Sequence, residues 1–255
     1  MQVDQAIKSK NIITPSEIID RMILISDGKI ADIISAVSYG EEKESNLLDF
    51  PIEDVGDCVV MPGIIDPHVH INEPGRTDWE GFETATQAAA AGGITTLVDM
   101  PLNSSPVTTT KKNFLLKYEA TRNKLMVNCA FWGGVIPGNE NDLEDLMQSG
   151  APGLKAFLTH SGIDEFPNVG PEQLRLALSI LKKFDRPLLV HCELDGFGHD
   201  IKGLQENTRS YAAWLHSRPA SMEAEAIKMM IALCRETDRK STRLNSSHSS
   251  VSRMP

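Results

Sequence analysis

Two histidines separated by one residue, His68 and His70, close the segment Met61-Pro-Gly-Ile-Ile-Asp-Pro-His-Val-His70. On an extended chain, side chains at i and i+2 project to the same side, so both imidazoles can reach one metal ion. A second apolar run, Leu188-Leu-Val-His-Cys-Glu193, carries His191 at its end. Against these stand two plainer readings: surface histidines in a loop, and a core histidine satisfied by a backbone carbonyl. Lys155 sits among apolar neighbours in Gly153-Leu-Lys-Ala-Phe-Leu158. Burial there would depress its pKa, whereas an outward-facing lysine would simply be solvated. Asn103, His160, Ser161 and Gly162 lie in loops that follow apolar runs, and Asn103 and Ser161-Gly162 could offer polar contacts to a small ligand.

These residues need strands that end at a common rim. Residues 1–58 read as a small β-structure, part of a β-sandwich. Its strands are Asn11–Thr14, Arg21–Ser26 and Lys29–Ile33, with Asp27-Gly28 as a turn and Gly40–Asn46 as a charged loop. From Val59 the texture changes. Apolar strands over 59–65, 94–98, 126–132, 153–158 and 187–192 alternate with helical stretches over 80–91, 109–122, 140–148, 171–184 and 221–236. Five β-then-α units predict a parallel sheet, either open and doubly wound or closed as a (β/α)8 barrel. Residues 239–255 break the alternation: six serines and no apolar run predict a disordered, non-native tail where a sixth strand is due.

The 255 residues are 41% hydrophobic and 24% charged, a globular balance, and the net charge of -10 with no basic run argues against a nucleic-acid partner. Cys58, Cys129, Cys192 and Cys234 are widely spaced. That spacing, with no signal peptide and no apolar run long enough for a membrane span, predicts a reduced, cytoplasmic protein.

The segment 61–70 resembles the first-strand signature of the cyclic amidohydrolases, which include dihydroorotases, hydantoinases and allantoinases. Ile71-Asn-Glu-Pro-Gly-Arg-Thr-Asp-Trp-Glu-Gly-Phe82, Ala88-Ala-Ala-Ala-Gly-Gly-Ile-Thr-Thr96 and Met100-Pro-Leu-Asn-Ser-Ser-Pro106 are similar to the allantoinase branch. The resemblance spans about residues 10–238. It implies an amidohydrolase (β/α)8 TIM barrel, here incomplete at about five β/α units. It also implies a centre of two divalent metal ions, usually zinc, and hydrolysis of a cyclic ureide, allantoin to allantoate, in purine catabolism. His68, His70 and His191 match its histidine ligands. Lys155 matches a lysine that CO₂ converts to a carbamate, whose two oxygens can bridge two cations. His160 stands five residues after Lys155, where the hydantoinase branch has an oxyanion-steadying tyrosine, and could donate a comparable hydrogen bond.

The family's sixth-strand histidine and its metal-binding, general-base aspartate have no counterpart here. His248 is set among serines that could not fix its ring, so this chain by itself is expected to be an inactive fragment. His199 and His216 read as surface residues. Arg76, Glu73 and Trp79 could serve loop packing or substrate contact, and Ser217-Arg218-Pro219 with Glu223 reads as structural. Dihydroorotases carry H-x-H-x-R, with the arginine gripping a carboxylate; here the sequence is His68-Val-His-Ile-Asn72. Hydantoinases differ in the Glu73–Glu80 loop. A non-catalytic, amidohydrolase-like subunit is the alternative of another kind, and an intact relative is expected to be a homo-oligomer.

Overall fold

The computed structural model describes residues 2–35, 50–194 and 209–237, so the Gly40–Asn46 loop, His199, His248 and the 239–255 tail lie outside the described residues. The chain divides into two units, 1–63 and 64–255, a boundary five residues later than the composition change suggests.

In the first unit β1 (Gln5–Ile13), β2 (Ile18–Ser26) and β3 (Lys29–Ile34) form an antiparallel meander. β4 (Ile52–Asp54) and β5 (Val59–Val60) add in parallel to β1. Asp27 and Gly28 both have positive φ, 52° and 68°, the geometry of a tight primed turn whose twist matches that of the strands it joins. Ala6, Met22 and Leu24 make the small core. The expected buried strand over 59–65 is corrected. Val59-Val60 belongs to this sheet, a new strand begins at Ile64, and Val59, Ile64 and Ile65 are all exposed. An outer strand is covered on fewer sides than its apolar composition suggests.

The second unit runs β6 (Ile64–Val69), α1 (Phe82–Ala91), β7 (Ile94–Asp99), α2 (Lys111–Ala120), β8 (Asn128–Phe131) and β9 (Gly133–Gly134). It continues with α3 (Leu143–Gln148), β10 (Leu154–Phe157), α4 (Pro171–Phe184), β11 (Leu188–His191), α5 (Tyr211–Ser217) and α6 (Ala220–Glu236). Helix ends follow local chemistry: the Thr110 hydroxyl caps α2 through Asn113 N–H, and Pro171 opens α4. Helix α5 was not anticipated from the sequence.

Among the described residues, all strand pairs in this unit are parallel. β6-β7-β8 form one leaf and β9-β10-β11 the other. Trp132 stands between them on a single stretch of chain. Its N–H donates to Asp99 O of β7, while the next residue, Gly133, donates to Gly153 O at the start of β10. Spatial order therefore follows chain order, whereas a doubly wound sheet would reverse partway. This is an α/β arrangement of successive β/α units.

Side-chain alternation divides the strands cleanly. Val69, Leu97, Phe131, Leu154, Ala156, Leu188 and Val190 pack with Phe82, Phe114, Leu146 and Leu178 of the helices. The alternate residues Val98, Met100, Trp132, Phe157 and Leu189 make a second cluster on the opposite, inner face.

The cysteines offer a direct check on this packing. Cys58 is exposed; burial, aided by the charge of Asp99, pushes the Cys129 thiol up to about 12, and burial raises that of Cys192 to about 11. Iodoacetamide at pH 8 is therefore expected to alkylate Cys58 first and to spare Cys129 and Cys192 until the protein is unfolded. Peptide mapping that finds Cys192 labelled as fast as Cys58 would contradict a packed fifth strand.

Candidate metal centre

The first strand delivers its histidines to one side. Val69 and Ile71 pack among the helix-facing residues, so His68 and His70, which alternate with them, face the inner side. Their ring centroids are 5.3 Å apart. Two imidazoles on one tetrahedral zinc, with Zn–N near 2.0–2.1 Å, place their centroids about 5 Å apart, so the pair is spaced for a shared cation.

The fourth and fifth strands repeat the pattern. In β10, Leu154 and Ala156 face the helices while Lys155 and Phe157 face inward; in β11, Leu188 and Val190 face the helices while Leu189 and His191 alternate with them. Register sets Lys155 beside Leu189 and Phe157 beside His191. The Lys155 Nζ lies 5.0 Å from the Phe157 ring centroid, and the His191 ring stacks on Phe157 at 4.8 Å. All four expected ligands thus belong to one face of the wall.

Lys155 is 1% exposed, and among the described residues its ammonium has no ion-pair partner. Burial lowers its pKa from the ordinary 10.5 to about 8. His191 is also buried, and its Nε2 donates to Glu193 Oε2 at 3.2 Å. Arg218 grips both oxygens of Glu193, at 2.5 and 2.6 Å. Burial opposes ionisation of Glu193, but the hydrogen bonds from His191 and Arg218 and the charge of Arg218 prevail and bring its carboxyl to about 2. Arg218, read from the sequence as structural, is thereby tied to His191 through one carboxylate.

Behind the histidine pair is a feature the sequence reading missed. Asp99 ends β7 on the helix side, fully buried, and pairs at 2.6 Å with Lys117 of α2, also fully buried. Its other oxygen accepts from Ile71 N–H at 2.7 Å, one residue beyond His70, and Lys117 also donates to Met100 O. Burial raises the Asp99 carboxyl, while the Lys117 ammonium pulls the other way. An aspartate closing an apolar strand, with a lysine in the next helix, was the available signal.

The remaining expected residues sit in loops. Asn103 Oδ1 contacts His70 Nδ1 at 2.8 Å, and Arg76 Nη1 donates to Asn103 O. Arg76 also reaches Glu165 and stacks near Trp79. Ser161 directs its hydroxyl to Ile163 O and Phe166 O, and Gly162, at φ 98°, donates its N–H to His160 Nδ1. His160 is exposed, with Asp164 3.5 Å from its Nε2. Glu73 is largely buried, binding Lys124 and the N–H of Phe82, a helix-capping role. His216 turns to Ala212 O within α5.

The donor set fits a divalent cation in part. The His68–His70 spacing and the sequestered Lys155 amine suit one, yet no three His, Cys, Asp or Glu side chains among the described residues converge on a point, and His191 is turned toward Glu193.

The Amidohydrolase family matches residues 59–253. The chain belongs to that family. Its α/β amidohydrolase fold is seen in the L-hydantoinase (dihydropyrimidinase) of Arthrobacter aurescens, with a TM-score of 0.81 at 29% identity over 95% of this chain and 52% of that one. Among amidohydrolases similar in sequence, the mitochondrial allantoinase of Aquarana catesbeiana is 46% identical over 230 residues, 90% of this chain and 46% of that protein. The Arabidopsis thaliana allantoinase is 42% identical over 234 residues, 91% of this chain and 46% of its own length. The chain spans about half the length of the curated relatives it matches. No helix among its described residues is long and apolar enough to cross a membrane.

Proposed function

We propose that this protein is a metal-dependent hydrolase of a cyclic amide C–N bond, converting allantoin to allantoate. The single observation that carries the reading is the common inner face shared by His68, His70, Lys155 and His191. Strand carboxyl ends are where barrel enzymes build their chemistry, and His68, His70 and His191 lie at the ends of β6 and β11. His68 and His70 would hold one cation, and Lys155 and His191 would contribute further ligands to a two-cation centre as part of an amidohydrolase barrel. Divalent cations, zinc being the expected choice, would there polarise the ring carbonyl and acidify the attacking water.

The chain's own residues prepare that centre. Burial favours the neutral Lys155 amine. Its nitrogen can then bond to the carbon of CO₂ and lose a proton, giving a carbamate whose two oxygens suit two cations. Asp99 holds the turn after the histidine pair through Ile71 N–H. His160, exposed near the start of the loop after the fourth strand, would donate a hydrogen bond to the developing oxyanion. Ser161, Gly162 and Asn103 would line the substrate's polar edge. Ser161 Oγ already serves two backbone carbonyls, so its offer to substrate would run through the loop it shapes.

The substrate assignment rests on the allantoinases' 36–46% identity, against 23–29% for the hydantoinase and dihydropyrimidinase structures, and on Asn72 where a dihydroorotase has its arginine. The test is hydrolysis of allantoin by the full-length gene product, run beside dihydroorotate and hydantoin. Allantoin is expected to give the highest kcat/KM; faster turnover of hydantoin would move the assignment to the hydantoinase branch.

A further inference from the structure

Asn103 has two features with separate explanations. Its φ is 78°, in the left-handed region that asparagine tolerates better than most residues, so the backbone alone could account for its presence. Its side chain does something the backbone does not require. The amide oxygen lies 2.8 Å from His70 Nδ1, at the end of the histidine pair. An amide oxygen only accepts, so Nδ1 carries the proton of this contact, and in the neutral ring the lone pair then resides on Nε2.

The surroundings hold that amide in place. Arg76 Nη1 donates to the Asn103 carbonyl at 3.3 Å, and Ser105 N–H donates to Pro74 O at 2.8 Å, tying the loop after β7 to the loop after β6. The two backbones approach so closely that a Cβ on Gly75 would sit 2.3 Å from Ser105 O. The loop carrying Asn103 is therefore braced against the loop that follows His70.

We infer that Asn103 is a positioning residue that locks His70 in the Nδ1–H tautomer and so presents Nε2 to a divalent cation. The inference deepens the hydrolase reading and rests on it for the cation, though not for the tautomer. Metal-bound histidines depend in this way on the partner of their second nitrogen, and losing that partner weakens binding about 10–100-fold.

Three forms of the full chain separate the side-chain role from the backbone role: wild type, N103G and N103D. Glycine adopts φ 78° readily but has no acceptor; aspartate keeps the acceptor. Long-range ¹H–¹⁵N NMR of the metal-free protein reads the His70 tautomer, zinc competition against a chelator reads affinity, and far-UV circular dichroism confirms that each form is folded. Wild type and N103D are expected to show protonated Nδ1 and unprotonated Nε2. N103G is expected to show a tautomer mixture and about 10–100-fold weaker zinc binding. A wild-type His70 protonated at Nε2, or a folded N103G with the wild-type tautomer and affinity, overturns the proposal. Should the wild-type chain take up no zinc, the metal reading fails, while the tautomer still decides the role of Asn103.

Discussion

Lys117→Met is expected to destabilise the α/β unit by about 3–5 kcal/mol, measured by urea unfolding at pH 7, because it strands a buried carboxylate. Asp99 has no exposed surface and its partner is 2.6 Å away, so loss of the ammonium leaves a buried carboxylate without its counter-charge. Asp99→Asn should cost a similar amount for the converse reason, since it leaves the Lys117 ammonium without a counter-charge although the Ile71 N–H keeps an acceptor. The double variant D99N/K117M removes both charges and should cost markedly less than the sum of the singles. The pH dependence has a definite sign. Burial already raises the Asp99 carboxyl, and loss of Lys117 raises it further. A carboxyl whose folded pKa exceeds its unfolded value resists folding at high pH, and that resistance fades as pH falls toward the unfolded value near 4. The K117M deficit relative to wild type should therefore shrink between pH 7 and about pH 4. A deficit below 1 kcal/mol at pH 7 would mean that the pair is not a dry one.

The second large effect concerns Lys155, and it runs in opposite directions for activity and stability. Lys155→Met keeps the side chain's length and burial but can neither form a carbamate nor contact a cation. In the full-length gene product it is expected to lower kcat/KM for allantoin by about a thousandfold or more, roughly 4 kcal/mol of transition-state stabilisation. Metal content by elemental analysis should fall with it. In metal-free protein the same substitution should raise stability by about 1–3 kcal/mol, since an apolar group replaces an amine buried beside Phe157 without an ion-pair partner among the described residues. A variant that retains activity and metal would remove Lys155 from the centre. One that loses both activity and stability would make Lys155 a structural residue.

How much of this could be read beforehand depends on the range of each interaction. The His68–His70 pair was legible because a two-residue period on a strand is a purely local rule, whereas Lys155 stood out through the family resemblance and its apolar neighbours, and His191 through its place at the end of an apolar run. Helix α4 was legible to the residue, with Pro171 at one end and leucines at helical spacing along it. The Asp99–Lys117 pair was not, because the two stand eighteen positions apart along loop and helix and only packing brings the charges together. The sequence predicts a third strand over 126–132, whereas 128–131 pair with β7 and 133–134 pair with β10, because partner choice is a property of the sheet. Loop position alone points Asn103 toward substrate. Its contact with His70 depends on how two loops meet, which no spacing in the sequence encodes.

The change of neighbours at Trp132 has a mechanical corollary. One seven-residue segment, 128–134, belongs to both leaves of the wall, and its indole Nε1 donates to Pro67 O, beside His68. The leaf that carries the imidazole pair and the leaf that carries the lysine thus share a splice instead of meeting at a seam. Neither can slide or peel without dragging the other, so the spacing between their side chains is set by a covalent chain running through both.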